Sequence, residues 1–505
     1  MSFCPERHTP RMTPLALLRT SRAARAWSVA GLAACSGALA AAAMASGPGL
    51  TVDSVRYAAA ARAFADTGAV TDLDGGPFTT FPPGLPVVLG TVMRTGLPVE
   101  SAAAIVNVVA VVAMVVATYW LAALALRATT LALLPAAVVS VATPTVMLHS
   151  RLWSEPLFTL VTLLVLIVAT RAVLSRSLTP TVAVLLAALC SAAVWIRYIG
   201  ITLIPVVAMG AAMAARDRGP RRMMAAGAGV GAVAALGAVA LVARNLATGS
   251  EPFGGRSSRG GDAAEFVLDA IRTLGSYLMP QPIAALALPA GVLVAALLAY
   301  GAWRVLAARD AGMSVLLAFI VVYWSTLLAI SLLTVIEYTR YRLAAPAFAP
   351  LVVLAVYAAR DLQHRSRGAT RIALSATAAV VLLLALPTAL AQSAAYVWVV
   401  GRTGHGYGSE SAEGSALATA VARLPADARL ASNDPTHVYW VAGRLAASYN
   451  DALRDPGSVD YLAIFRSIIP GTSRQTDLDP TADDPSVTLV ASFEDGSLYK
   501  VTRDW

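Results

Sequence analysis

Asp53, Arg56 and Tyr57 follow the first long apolar stretch of the chain as Asp53-Ser54-Val55-Arg56-Tyr57, and Phe81-Pro82-Pro83-Gly84-Leu85 precedes the next one. Far along the chain a second polar cluster, Glu337-Tyr338-Thr339-Arg340-Tyr341-Arg342, again sits between apolar stretches. A carboxylate takes a proton from a hydroxyl, and a guanidinium stays charged while gripping phosphate oxygens through two parallel hydrogen bonds. Together these residues point to chemistry on a lipid-borne anion. They need a membrane scaffold to bring them together, and composition supplies one.

Of the 505 residues 57% are hydrophobic and only 13% are charged, with a mean hydropathy of +0.68. This is the profile of an integral membrane protein. Charge-poor runs long enough to span a bilayer recur at roughly 27–46, 100–126, 129–148, 156–174, 180–196, 199–215, 223–243, 283–303, 313–335, 343–359 and 372–398, about eleven spans in all.

Lys500 is the only lysine, so the net charge of +9 is an arginine excess. Arg7, Arg11, Arg19, Arg22 and Arg25 place the N-terminal tail in the cytoplasm. Alternate loops agree: Arg127, Arg171 with Arg176, the Arg216 to Arg222 group, Arg304 with Arg309, and Arg360 to Arg371. The pattern closes with an odd number of spans. Loops 47–99, 149–155, 244–282 and 336–342, and everything after residue 400, then face outward. The basic balance is a topology signal, and no nucleic-acid footprint is read in it.

Cys4, Cys35 and Cys190 fall in the cytoplasmic tail and in apolar spans, leaving the exported loops no disulfide. The N-terminus has arginines, an Ala-rich core and the small residues Ala45-Ser46-Gly47. Its apolar run is long enough to span, so a retained first helix is expected rather than a cleaved signal.

The expected architecture is an α-helical polytopic membrane protein with three parts: a basic cytoplasmic tail at 1–26, a transmembrane domain at 27–400, and a small extracytoplasmic α/β domain at 401–505. Within 47–99, Asp53 suits an N-cap, and Tyr57, Ala60, Ala61 and Phe64 share one helical face. The diproline restarts a second interfacial helix through Leu85, Val88 and Leu89. In the tail, 429–432, 437–441, 461–465 and 487–491 read as strands, Asn433-Asp434-Pro435 as a turn, and Asp495-Gly496 as a hairpin into 497–501.

The Asp53-x-x-Arg56-Tyr57 motif, the Pro82-Pro83 pair with Leu85, and Glu337 to Leu343 before Pro346 resemble the GT-C glycosyltransferases of the aminoarabinose transferase and protein O-mannosyltransferase type. The resemblance implies transfer of a sugar from a polyprenyl-phosphate donor to a lipid, glycan or protein acceptor on the outer face. It gives Asp53 the role of catalytic base and makes Glu155, in Ser154-Glu155-Pro156, similar to a second acidic position that in some members helps hold a divalent cation. Arg340 and Arg342 resemble the outer arginines that meet the donor phosphate. One departure stands out: relatives of the aminoarabinose type often carry lysine before the diproline, where this chain has Phe81. Phosphate contact then falls to Arg56 or to the later arginines. Tyr57, Arg197 and Tyr341 are the expected substrate contacts.

Structural readings stand beside these. Asp53 suits a helix cap, and Glu155 suits the positive end of a helix dipole. His149 is either a third metal ligand beside Asp53 and Glu155 or a residue at a helix end. Arg197 with Tyr198 either lines the cavity or snorkels, and Arg340 and Arg342 have Glu337 within reach for an ion pair. A lipid-linked-sugar transporter would place ionisable groups near the midplane, and the spans at 100–126, 223–243 and 313–335 hold almost none. A scaffold that works through its tail is the third reading. The orientation is checked by Asn450→Cys: the new thiol should react with an impermeant maleimide in intact cells, and protection would overturn the odd span count.

Overall fold

The computed structural model describes residues 21–255, 262–277, 286–334, 341–452, 454, 458–466 and 487–501. Apolar runs fold here as helices, because a hydrocarbon surround offers the backbone no other hydrogen-bond partner. Helix α1 (Arg22–Ala43) is capped by Ser21, whose side chain accepts from the Ala24 amide. After α2 (Val52–Thr67) and α3 (Gly84–Met93) come α4 (Val99–Leu126), α5 (Leu133–Val141), α6 (Thr143–His149), α7 (Glu155–Ser175), α8 (Pro180–Ile196) and α9 (Leu203–Ala214). The bundle is completed by α10 (Pro220–Ala247), α11 (Ala263–Ser276), α12 (Ala287–Ala308), α13 (Ala311–Leu333), α14 (Tyr341–Arg365) and α15 (Gly368–Thr403).

Among the described residues eight helices (α1, α4, α7, α10, α12, α13, α14 and α15) are long and apolar enough to cross a membrane. The other expected spans fall on shorter pieces. The stretch expected at 129–148 is two helices, broken at Ala142, which adopts an extended conformation ahead of Pro144. A proline inside a helix removes a donor and pushes its predecessors away from helical geometry, so the break lies where the sequence puts it. The stretch expected at 199–215 begins as a 3-10 turn over Tyr198–Thr202 before α9 starts.

Leu121, Phe158, Leu166, Phe319 and Val353 are buried in the bundle interior. Val109, Trp120, Leu236, Leu293 and Leu383 are exposed on its flanks, the side that lipid would cover. Three helices, α4, α7 and α12, end on Arg127, Arg176 and Arg309 in the left-handed conformation, with φ of 51°, 51° and 50°. Arg127 then pairs with Asp310 and Arg176 with Asp217, so these helix ends are tied to neighbouring segments.

A second core lies at one end of the bundle. Leu50, Tyr57, Phe78, Leu85, Leu89, Val99, Leu152 and Tyr407 are buried there together. Helix α2 begins at Val52 with Thr51 as N-cap, so Asp53 sits in the first turn and is not the cap. Tyr57, Ala60 and Ala61 are buried as their spacing requires, and Phe64 is half-buried. Phe81 packs on Tyr57 with ring centroids 4.9 Å apart, a structural use for the residue that departs from the lysine pattern.

The tail packs on this end. Leu50 and Gly406 pair as a parallel bridge. At Gly406 φ is +68°, and an added Cβ would overlap the Leu50 carbonyl oxygen, so only glycine fits. Beyond it run α16 (Glu410–Glu413), α17 (Ala416–Ala422), β1 (Leu430–Ser432), α18 (Pro435–Ala442), β2 (Ala447–Ser448), α19 (Tyr449–Ala452), β3 (Tyr461–Phe465), β4 (Val487–Phe493) and β5 (Gly496–Val501). The sheet order is β2-β1-β3-β5-β4, with β2, β1 and β3 parallel and β5 antiparallel to both its neighbours. The expected hairpin at Asp495-Gly496 forms. The strand expected at 437–441 is instead helix α18. Asp434 caps it by accepting from the His437 amide, and Pro435 occupies its first turn. This start signal outweighs the β-propensity of Val438, Tyr439, Trp440 and Val441.

Candidate active site

Four chain segments meet where the second core touches the bundle. From α2 come Asp53 and Tyr57, and the 150–155 segment supplies Arg151, Trp153, Ser154 and Glu155. Arg197 follows α8, and α14 opens with Tyr341 and Arg342. The 150–155 segment is held in place by backbone pairing. The Gly49 amide donates to the Ser150 carbonyl at 2.8 Å, and the Leu152 amide donates to that of Gly49 at 3.1 Å. Buried Asn107 of α4 donates its side-chain amide to the Arg151 carbonyl at 2.7 Å. The segment therefore satisfies its backbone without helix or sheet and holds its side chains in one place.

Arg342 is the centre of the cluster. Its Nη2 donates to Asp53 Oδ2 at 2.6 Å, and its Nε donates to Glu155 Oε1. The two carboxylates named from the sequence are thus brought together, through an arginine also named there. Glu155 is 1% exposed and pairs a second time, with Arg197. The Arg197 Nη1 also donates to Ser154 Oγ at 3.0 Å, and Tyr57 donates its hydroxyl to the same oxygen at 3.1 Å. Burial pushes the Tyr57 phenol well above its usual range, so it stays protonated and remains a donor.

Arg151, Trp153 and Ser154 join the cluster without having stood out in the sequence. The Trp153 indole donates to Thr51 Oγ1 at 2.9 Å. Its ring lies under two guanidiniums, with Arg342 at 4.3 Å and Arg151 at 4.7 Å from the centroid. Arg151 is 7% exposed and donates to the Tyr341 hydroxyl. Among the described residues Arg151 has no carboxylate partner, and its Nε, like Glu155 Oε2, is buried without a hydrogen-bond partner. The signal is legible: an arginine kept in a loop assigned to the outer face runs against the same orientation rule that draws attention to Arg342.

Three guanidiniums (Arg151, Arg197, Arg342) face two carboxylates (Asp53, Glu155), so the cluster retains one positive charge. A polar cluster with a surplus cation and buried donors has the chemistry to attract an anion such as phosphate.

The remaining candidates lie elsewhere. Arg56 turns away from Asp53, pairing with Asp72 at 3.5 Å and donating to Thr80 Oγ1 at 3.0 Å. Tyr198 donates its hydroxyl to the Thr79 carbonyl. Arg340 and Glu337 lie outside the described residues. His149 is buried apart from the carboxylates: Nδ1 contacts the Thr145 carbonyl at 2.8 Å, and the ring lines a void of about 10 Å³ among Met114, Leu148 and Phe348. Among the described residues no three His, Cys, Asp or Glu side chains stand close enough to hold a metal ion. The space between Asp53 and Glu155 is taken by a guanidinium, so these residues as arranged do not fit a divalent cation unless Arg342 leaves.

The fold is similar to those of solved membrane-bound glycosyl- and oligosaccharyltransferases. A crystal structure of ArnT from Cupriavidus metallidurans bound to undecaprenyl phosphate superposes with a TM-score of 0.59 at 15% identity, covering 94% of this chain and 98% of that one. The archaeal oligosaccharyltransferase AglB from Archaeoglobus fulgidus, in complex with an inhibitory peptide and a dolichol-phosphate, gives 0.56 at 13% identity over 88% of this chain and 70% of that one. The mycobacterial arabinofuranosyltransferase AftD gives 0.50 at 16% identity over 95% of this chain and 40% of that one. No family model matches the chain, and no curated relative matches it.

His405 offers a pH test of the joint between tail and site. Burial, with the Arg151 guanidinium adding to it, pushes this imidazole from 6.5 down to about 4. The unfolded chain therefore binds more protons than the folded one between those values, and stability present above pH 6.5 is lost as pH falls toward 4. The melting temperature of the purified protein should drop over that window, and His405→Asn should flatten the difference.

Proposed function

We propose that this protein is a glycosyltransferase that moves a sugar from a polyprenyl-phosphate donor to an acceptor hydroxyl on the extracytoplasmic face of the membrane. The observation that carries it is the placement of Asp53 and Glu155 around Arg342, beside buried Arg151, at the end of the bundle where the tail docks. The arginine distribution supports the outward orientation, with residues 1–26 in the cytoplasm and residues 401–505 as an extracytoplasmic α/β domain. The GT-C fold supports the reaction class, and the ligands named for ArnT and AglB support a polyprenyl-type phosphate as donor.

The chemistry divides by residue. Asp53 is the general base: it takes the proton of the acceptor hydroxyl as that oxygen forms its bond to the anomeric carbon. The bond from that carbon to the phosphate oxygen breaks, and its electron pair leaves with the lipid phosphate. Its negative charge is met by Arg151 and Arg342, with Arg340 as a further candidate. Glu155 holds Arg342 and Arg197 in position, and Tyr57, Arg197 and Tyr341 line the substrate space. The cationic requirement is served by guanidinium, and no step requires a metal. Fixed cations aimed at a departing phosphate need no reorganisation as charge develops, and stabilisation of this kind commonly lowers a reaction barrier more than any other single effect.

In cells lacking the protein, a polyprenyl-phosphate sugar should accumulate, and the wild-type chain should clear it. Asp53→Asn should restore membrane levels of the protein while lowering transfer by about 10²- to 10⁴-fold, the range for loss of a general base; wild-type clearance would remove the assignment. Binding of undecaprenyl phosphate to the purified protein tests Arg151. Arg151→Gln should weaken it by about 10- to 100-fold, the equivalent of one charge-assisted hydrogen bond, with Arg151→Lys intermediate. Equal affinity in all three proteins would exclude Arg151 from the phosphate site.

A further inference from the structure

A cleft of about 310 Å³ lies between α2, the 72–74 turn and the α18–β2 region of the tail. Its polar lining is Arg56, Asp72 and Asp74 on one side and Thr436, Tyr439 and Ser448 on the other. It is walled by both parts of the protein, so it exists only when the tail is docked. Docking is well secured. The Tyr407 amide donates to the Leu50 carbonyl at 2.9 Å, and the Arg62 guanidinium of α2 lies 4.7 Å from the Trp440 ring centroid.

The cleft adjoins Asp53 through one helix. Val52 and Arg56, both in the lining, bracket Asp53 in sequence. At helical rise, the Asp53 Cα is about 1.5 Å along the axis from Val52 and about 4.5 Å from Arg56. Around the helix Asp53 is about 100° from Val52 and about 60° from Arg56, so the proposed base lies on the surface of α2 next to the face that lines the cleft, and a continuous helix fixes that relation.

The charges in the cleft decide what class of molecule it takes. Two carboxylates face one guanidinium, and that guanidinium is already paired with Asp72 at 3.5 Å. A phosphate or carboxylate ligand would meet a net negative lining with no spare cation, which disfavours it. A neutral ligand rich in hydroxyls meets carboxylate acceptors, Ser and Thr hydroxyls able to donate or accept, and a guanidinium donor. Tyr439 adds an aromatic ring able to cover an apolar sugar face. The volume lies at the small end of the range for ligand sites, about 300 to 1,000 Å³, which suits one or two sugar units and not a lipid chain.

We propose that this cleft is the acceptor subsite and holds a neutral sugar unit of a glycan acceptor, whose reactive hydroxyl passes over the rim of α2 to Asp53. The inference rests on the transferase reading above and narrows its acceptor to a glycan. It separates the two substrates: the donor phosphate lies at the Arg151–Arg342 side of α2, and the acceptor lies at the Asp72–Tyr439 side. The tail then acts in catalysis by completing the acceptor site.

The test uses the full-length purified protein in nanodiscs with arabinobiose, mannobiose and maltose as neutral probes and glycerol 3-phosphate as the anionic one, observed by saturation-transfer NMR. At least one disaccharide should bind and glycerol 3-phosphate should not displace it. Thr436→Trp, which fills the cleft, should weaken that disaccharide by about tenfold or more, the equivalent of one to two lost hydrogen bonds. Asp74→Asn, at an exposed position that threatens no core, should weaken it by about fivefold. Undecaprenyl phosphate binding should be unchanged in both variants. Binding of none of the three disaccharides, displacement by glycerol 3-phosphate, or affinities unaltered in both variants would overturn the acceptor assignment. Asp53→Asn keeps the two proposals distinguishable, because it should retain disaccharide binding. If it bound disaccharide and still transferred sugar, the base assignment would fall while the cleft assignment stood.

Discussion

The site depends on one guanidinium shared by two carboxylates. Asp53 lies on α2, Glu155 begins α7 and Arg342 lies in the first turn of α14, so a single side chain ties three distant parts of the sequence together. Taking these charges out of water is costly unless each is paired, and removing one partner of such a cluster typically costs about 3 to 5 kcal/mol. Arg197 on the far side of Glu155 and Trp153 beneath Arg342 complete the compensation. The cluster is therefore a constraint on how the α2 segment docks on the bundle as well as a candidate for chemistry.

Around that constraint the molecule separates into two environments. Buried apolar side chains fill the bundle, and the long helices leave their outer faces apolar. At one end the chain abandons regular spans for short helices, a looped segment at 150–155 and the docked tail. Polar backbone that is neither helix nor sheet is tolerated only where protein satisfies it, and Gly49, Asn107 and Ser150 do so around Arg151. A surplus guanidinium persists there because the Tyr341 hydroxyl and the Trp153 ring hold it in place of a carboxylate.

Much of this is legible in the residues themselves. Apolar runs give the long helices because length and the absence of charge are local properties, and the hairpin at Asp495-Gly496 follows from turn chemistry. Asp53, Glu155 and Arg342 stand out as polar groups at the ends of apolar stretches, and they meet. Local propensity misreads 437–441, where an Asp-Pro helix start carries more weight than a β-rich composition. The single span expected at 129–148 becomes two helices because Pro144 prevents continuity. Arg151 is easily overlooked although its place in the chain marks it.

The sequence by itself determined the solvent, the helical class, the orientation signal and the types of chemically active residue, since each rests on composition or on near neighbours. The tertiary structure alone decided that Arg56 pairs with Asp72 and faces a separate cleft, that His149 lies apart from the carboxylates, and that Arg151 joins Arg342 across Trp153. The reason is physical: which charges compensate one another depends on distances of a few ångströms between helices far apart in the chain, and spacing along the sequence carries no record of those distances.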